Sequence, residues 1–380
     1  MPEATRNHAP AAPLSRWLTA SAMLNVPQAA GPVAFSLLAL SLTGDTAGGA
    51  AMILAMTLAQ VICAVPITRL GQNLPAARCF RFLVIFRTLG LLALTLGAQS
   101  QVPFGWLIAL AALAGSVNGA AYGYLRSLLN SFSTAANLPR ALGIAATLNE
   151  LTFVLAPVMA SVLGVASPVL GMLALTVLGT APALAIPRDL PEEGRSHAMP
   201  AAGAGLLTPP ILLWLGCAVA GGATVAAIEV GAVALAVGFG HDPTLAILFT
   251  VPLCLASVTG GVWVSLRNRM PGRPAVIAQL AVMTLGAGLA ALGQSVAVTI
   301  VGAVLIGAVL APLATYYALI LEDLATPHRR AEIFALLRTA NAMGVVAASS
   351  VLTALSVATT LVVVTVMMGA AVLAVALAPR

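Results

Sequence analysis

Residues 104–126 read FGWLIALAALAGSVNGAAYGYLR, 23 positions whose single charge, Arg126, comes last. At about 1.5 Å per residue, a helix of this length crosses the ~30 Å hydrocarbon core of a bilayer. A membrane strand would alternate polar and apolar positions over about ten residues, which this run does not. Eleven more runs of the same kind occur, at 17–42, 49–68, 79–98, 140–163, 166–187, 209–237, 244–266, 275–293, 297–320, 331–355 and 358–378. The chain is therefore expected to be an all-α membrane protein of twelve spans.

Composition agrees with that reading. Sixty per cent of the 380 residues are apolar and 7% are charged, and the mean hydropathy is +1.04. A water-soluble surface needs roughly a quarter of its residues charged. The net charge of +6 does not imply nucleic acid, because all 17 basic residues are arginines scattered in ones to threes between apolar runs. Cys63, Cys79, Cys217 and Cys254 lack metal-ligand spacing and read as packing residues. No metal or other cofactor is expected.

The arginines fix an expected orientation. Arg6 and Arg16 precede the first span. Arg69, Arg78 and Arg81 flank the second connection, Arg126 and Arg140 the fourth, Arg188 and Arg195 the sixth. Arg267, Arg269 and Arg273 mark the eighth, Arg329 and Arg330 the tenth, and Arg380 ends the chain. The odd-numbered connections hold no arginine and carry Asp45 and Asp242 instead. Positive residues stay on the cytoplasmic side, so both termini are expected there, in a multi-pass protein of the cell inner membrane.

Residues 188–206 form the longest internal hydrophilic stretch, charged and then rich in Pro, Ala and Gly, and read as a linker. Six spans precede it and six follow, giving bundles over 1–187 and 207–380. The halves also echo one another at an offset of 192: Gly115 with Gly307, Val117 with Val309, and Tyr124 with Tyr316. Six-linker-six spacing with such matches favours a parallel internal repeat.

Several side chains are costly against lipid and mark an interior. Gly115, Gly119 and Gly123 bare one face of span four for a close neighbour. Beside it runs a polar row, Asn118, Tyr122 and Arg126, and span one carries Ser21, Asn25 and Gln28 next to Pro27 and Pro32. Both rows are expected to face protein or a water-filled cavity. Span ten offers Pro312 and Tyr316. Glu150 lies roughly 15 Å into span five and Glu229 sits in the outer part of span seven. Each of these carboxylates should be paired or protonated, with Arg87 or Arg338 as ion-pair candidates for Glu150. Arg81, Arg126 and Arg140, near cytoplasmic ends, read as interface anchors. Aromatic residues make up 5% of the chain, with no evident cage for a large planar cation.

Three motifs then resemble those of the major facilitator superfamily. The loop after span two, Ala64-Val-Pro-Ile-Thr68-Arg69-Leu-Gly71-Gln72, is similar to G-x-x-x-D-[RK]-x-G-[RK]. Arg69 and Gly71 are kept, while Thr68 stands in place of the aspartate. Residues 115–123 resemble R-x-x-q-G-x-g with glycine at the arginine position, and residues 152–161, around Pro157, are similar to the g-x-x-x-G-P-x-x-G-G motif associated with antiporters. The resemblance implies two six-helix bundles, alternating access, a cavity lined by spans one, four, seven and ten, and a gating loop at Arg69 and Gly71. On that basis Asn25, Gln28, Asn118, Tyr122, Glu229 and Tyr316 are the expected substrate-binding residues, and Glu150 and Glu229 the proton-coupling ones.

There is no GxxxxGK[ST] loop for an ATPase. The expected partners are thus a small-molecule substrate, protons or another coupling ion, and membrane lipid, without nucleic acid, for a protein working as a monomer. Proton-coupled efflux of a small organic molecule is the preferred reading, with an uptake symporter or facilitator as the alternative. A lipid-modifying enzyme would need clustered acidic, His or Cys residues at one interface. The pair Glu322-Asp323 beside His328 is too little for that.

Overall fold

The computed structural model of the chain describes residues 13–44, 47–187 and 207–378. The linker 188–206, and the charges Arg6, Asp45, Arg188, Arg195 and Arg380, lie outside the described residues.

Twelve helices are long and apolar enough to cross a membrane: Leu14–Thr43, Gly48–Leu70, Ala76–Gln99, Phe104–Ser131, Ala135–Ala166 and Pro168–Ala185, then Pro209–Glu229, Ile247–Arg267, Arg273–Leu292, Val296–Leu324, Pro327–Ala354 and Val357–Leu377. They are spans one to twelve below. All twelve expected runs are present, because a run of apolar residues in lipid must satisfy its backbone internally and only a helix does so alone. Span seven differs from expectation. Its first helix ends at Glu229, and a separate short helix, Ala232–Gly238, follows Gly231. Span four is also broken, into helices Phe104–Ser116 and Asn118–Ser127 either side of Val117.

The chain divides into two compact units. The first holds residues 1–141, 148–200 and 326–336, so the start of span eleven belongs with it; the second holds 142–147, 201–325 and 337–380. In the first unit span two packs on four, three on four, three on six and one on six. In the second, the same pairings recur six helices later: eight on ten, nine on ten, nine on twelve and seven on twelve. Within the first unit Phe35, Leu38, Met52, Leu91, Leu94 and Leu107 are among the sealed core residues. Large apolar side chains such as Ile62 and Leu266 are left on the outside, where lipid receives them.

The 192-residue offset is realised atom by atom. A Cβ on Gly115 would run into the carbonyl oxygen of Met56 in span two, and one on Gly307 into that of Leu253 in span eight. Gly119 faces Ala64 and Gly123 the backbone of Ala331, so the bare face of span four is used for close helix packing. The arginines that open spans three and nine repeat as well. Arg81 donates from Nη1 to Ile186 O at 3.0 Å, just past the end of span six. Arg273, 192 positions later, donates from Nη2 to Val375 O at 2.6 Å and to Ala378 O at the end of span twelve. Both occupy carbonyls that a helix C-terminus leaves without intrahelical partners, and both place a cation at the negative end of the dipole.

Candidate functional site

The polar interior of the first unit is organised by Arg87, in the middle of span three. Its side chain is fully buried, at 2% exposure. Nη1 donates to Leu24 O at 2.8 Å and to Asn118 Oδ1 at 2.9 Å, and Nη2 donates to Gly179 O at 2.6 Å. One guanidinium therefore joins spans one, three, four and six. Leu24 and Gly179 each lie three residues before a proline, Pro27 and Pro182. A proline removes one helical hydrogen bond and bends the backbone, which tilts nearby carbonyls out of the helix. At Gly179 a Cβ would strike the Pro27 ring, so only glycine lets spans one and six meet there.

Asn118 sits at the break in span four, where the second helical segment begins. Asn25, on span one next to Leu24, donates from Nδ2 to Asn149 Oδ1 in span five at 2.9 Å. Asn149 immediately precedes Glu150. Arg87 thus links Asn118 of the span-four row to the backbone of span one beside Asn25, and Asn25 in turn reaches Asn149 of span five. Gln28, Tyr122 and Glu150 are half-buried.

Three expectations need correction. Of the two ion-pair candidates for Glu150, Arg87 is excluded, since its Nη donors go to two carbonyls and an amide. Arg126 is not an interface anchor but 3% exposed, with its guanidinium carbon 4.5 Å from the Phe334 ring centroid, where a desolvated cation is held by the ring quadrupole. Glu229 ends its helix on an exposed face, beside the break in span seven, rather than in the body of a longer helix. In the second unit Tyr316 is buried, edge-on to Trp214 with ring centroids 5.0 Å apart.

Arg69, expected in the loop after span two, lies in the last helical turn of that span and meets the carboxylate of Glu332. Arg69 Nε lies 2.7 Å from Glu332 Oε1, and Arg329 Nε 3.2 Å from Glu332 Oε2. Glu332 is 4% exposed, in the first turn of span eleven. Thr68 stands where the motif has aspartate, and the carboxylate that faces Arg69 comes from span eleven. Gly71 is held close by: Cys79 Sγ donates to Gly71 O at 3.3 Å, and a Cβ on Gly71 would collide with the Tyr124 hydroxyl, which donates to Thr68 O at 2.8 Å. The one signal for Glu332 in the sequence was an acid set directly after two arginines and an alanine. Arg87 was visible only as a lone charge near the middle of an apolar run.

The family model of the Major Facilitator Superfamily matches residues 14–349. A search of curated proteins finds no match. Among solved structures, a bacterial homologue of the iron transporter ferroportin in an outward-facing state has a TM-score of 0.76 at 14% identity, covering 95% of this chain and 97% of that one. A point variant of the E. coli fucose:proton symporter, FucP, has a TM-score of 0.74 at 12% identity, covering 97% and 98%. The human organic anion transporter MFSD10 has a TM-score of 0.69 at 15% identity, covering 95% and 97%. At these identities the likeness is one of fold. The family match over most of the chain, together with twelve spans and a repeated six-helix plan, places this chain in the major facilitator superfamily as a transporter, not an enzyme.

Proposed function

We propose that the protein is a secondary active transporter working by alternating access, in which protons drive efflux of a small organic molecule across the cell inner membrane. Two six-helix halves, 1–187 and 207–380, joined by the cytoplasmic linker 188–206, form one monomeric unit with both termini in the cytoplasm. Asn25, Gln28, Asn118 and Tyr122 form the substrate surface of the N-terminal half, with Glu229 and Tyr316 contributed by the other. Glu150 and Glu229 exchange the coupling proton. Arg69 and Gly71 act as a gating loop, with Glu332 as the acid that Arg69 engages and releases during the cycle.

The observation that supports this reading best is the bond from Asn25 to Asn149. It connects the polar row of span one to the residue beside Glu150. A change of protonation at Glu150 is therefore one residue away from a group that orients Asn25. Carboxylates inside a membrane are costly enough that they mark proton and ion pathways by default.

The test is reconstitution of the purified protein and of Glu150→Gln in proteoliposomes with an imposed pH gradient. Wild type is expected to accumulate the transported compound against its gradient. The variant should lose accumulation yet retain exchange between equilibrated pools, since exchange moves no net proton. A folded Glu150→Gln protein that accumulates normally would remove Glu150 from the mechanism.

A further inference from the structure

We infer that the molecule received at Asn118 is an organic anion, presenting a carboxylate or similarly charged oxygen to the Asn118 amide. This rests on the transport reading above and adds the substrate class to it.

Charge comes first. Arg87 is an obligate cation, buried in the membrane-spanning part of the first unit. Its hydrogen bonds all go to neutral oxygens, and among the described residues no carboxylate lies within ion-pairing distance. Carbonyl dipoles can solvate such a cation, but they leave its charge in place, and in a low-dielectric interior that charge is felt several ångströms away.

Orientation comes next. An arginine has only donors, so the side-chain atom of Asn118 that faces it must be the oxygen. That removes the usual ambiguity between amide O and N. The Nδ2 group is turned away from Arg87 and has no hydrogen-bond partner among the described residues. Asn118 thus presents two N–H donors, polarised from behind by a buried cation at 2.9 Å. Tyr122 lies one turn further along the same face. Donors backed by positive charge favour an anionic acceptor, whose charge-assisted bonds are roughly twice as strong as neutral ones. They repel an organic cation.

The equivalent position in the other half sharpens the point. Residue 279, 192 positions after Arg87, is a glutamine, and its Oε1 is buried without a hydrogen-bond partner among the described residues. At this position the buried cation belongs to the first half, so the positive charge behind Asn118 has no counterpart at residue 279.

The test uses the purified full-length protein in detergent. Thermal-shift and equilibrium binding measurements would be made with benzoate, salicylate, citrate and gluconate as anion probes, and tetraphenylphosphonium and ethidium as cation probes. At least one anion should stabilise wild type, and neither cation should. Asn118→Asp keeps an oxygen facing Arg87 and nearly the same shape, but removes the donors and neutralises the cation. It is expected to melt at or above the wild-type temperature while its anion affinity falls about tenfold or more. Asn118→Ser, which keeps a hydroxyl but not the amide, should also lose anion affinity and guards against a folding failure of the first variant. Wild type that binds cations, wild type that binds none of the anions, or undiminished anion binding in both variants would overturn the proposal. Counterflow of the bound anion in proteoliposomes separates the two readings: a site lost in Asn118→Asp, in a protein that moves no anion, would leave the anion site standing and remove transport.

Discussion

The two halves of this protein share their packing and differ in their interiors. In the first, Gly115 lies against Met56 O and Arg81 covers the end of span six; in the second, Gly307 lies against Leu253 O and Arg273 covers the end of span twelve. At mid-span the likeness stops. Arg87 draws spans one, three, four and six together around Asn118, whereas the second half has Gln279 at that position and an aromatic cluster of Trp214, Tyr316 and Tyr317. Contacts that hold helices at a fixed spacing are repeated. The buried guanidinium at this position belongs to the first copy, which also holds Glu150.

The harshest way to break the comparison is to fill the repeated glycines. Gly115→Val and Gly307→Val each drive a side chain into a backbone carbonyl that cannot retreat. Both should cost about 3 kcal/mol or more and abolish a monodisperse peak in size-exclusion chromatography. Tolerance in one half alone would show that the repeat is not structural there.

A smaller but asymmetric effect is expected at the divergent position. Arg87→Leu leaves two carbonyls and the Asn118 oxygen without their donor, at about 1–3 kcal/mol for each buried group, partly offset by removing a buried charge. Gln279→Leu removes an amide oxygen that has no hydrogen bond, so its melting temperature should be unchanged or higher. Equal losses in the two variants would mean that Arg87 is no more than another packing residue.

The arginine caps should matter less. Arg273→Ala and Arg81→Ala are expected to cost about 1 kcal/mol each, with Arg273 the greater because it reaches more than one carbonyl. Smallest is Glu332→Gln, at under about 1 kcal/mol, since Arg69 is 57% exposed and its charge is screened. Its effect should appear instead as faster alkylation of Cys79, which bonds to Gly71 in the same loop, by a membrane-permeant maleimide. An unchanged labelling rate would separate Glu332 from the loop.

Most of the architecture was legible in the sequence because lipid imposes a simple rule. A long apolar run must become a helix, because only a helix satisfies its own backbone in lipid. The glycine face of span four and the 192-residue offset were readable for a related reason, since both are periodic. The interior was not. Asn25 and Asn118 stood out as polar residues in apolar helices, but their partners Asn149 and Arg87 lie 124 and 31 positions away. Opposite charge alone makes Arg87 and Arg338 equal candidates for Glu150, and nothing in the sequence tells that Arg87 turns to carbonyls instead. The carbonyls it uses come from helices that carry Pro27 and Pro182, and which carbonyls face Arg87 is a consequence of three-dimensional packing that periodicity does not encode. Arg126 was read from its place at a helix end, and only the structure brings Phe334 over it.

The central claim is that the buried guanidinium of Arg87, replaced by Gln279 at the equivalent position of the second half, is part of the functional chemistry. Its most direct test is the initial transport rate, normalised to folded protein, of Arg87→Gln and Gln279→Leu in proteoliposomes. Making the first half resemble the second at this position should reduce the rate about tenfold or more, while Gln279→Leu stays within about twofold of wild type. Equal reductions in both variants, or an Arg87→Gln protein that transports at the wild-type rate, would contradict the account.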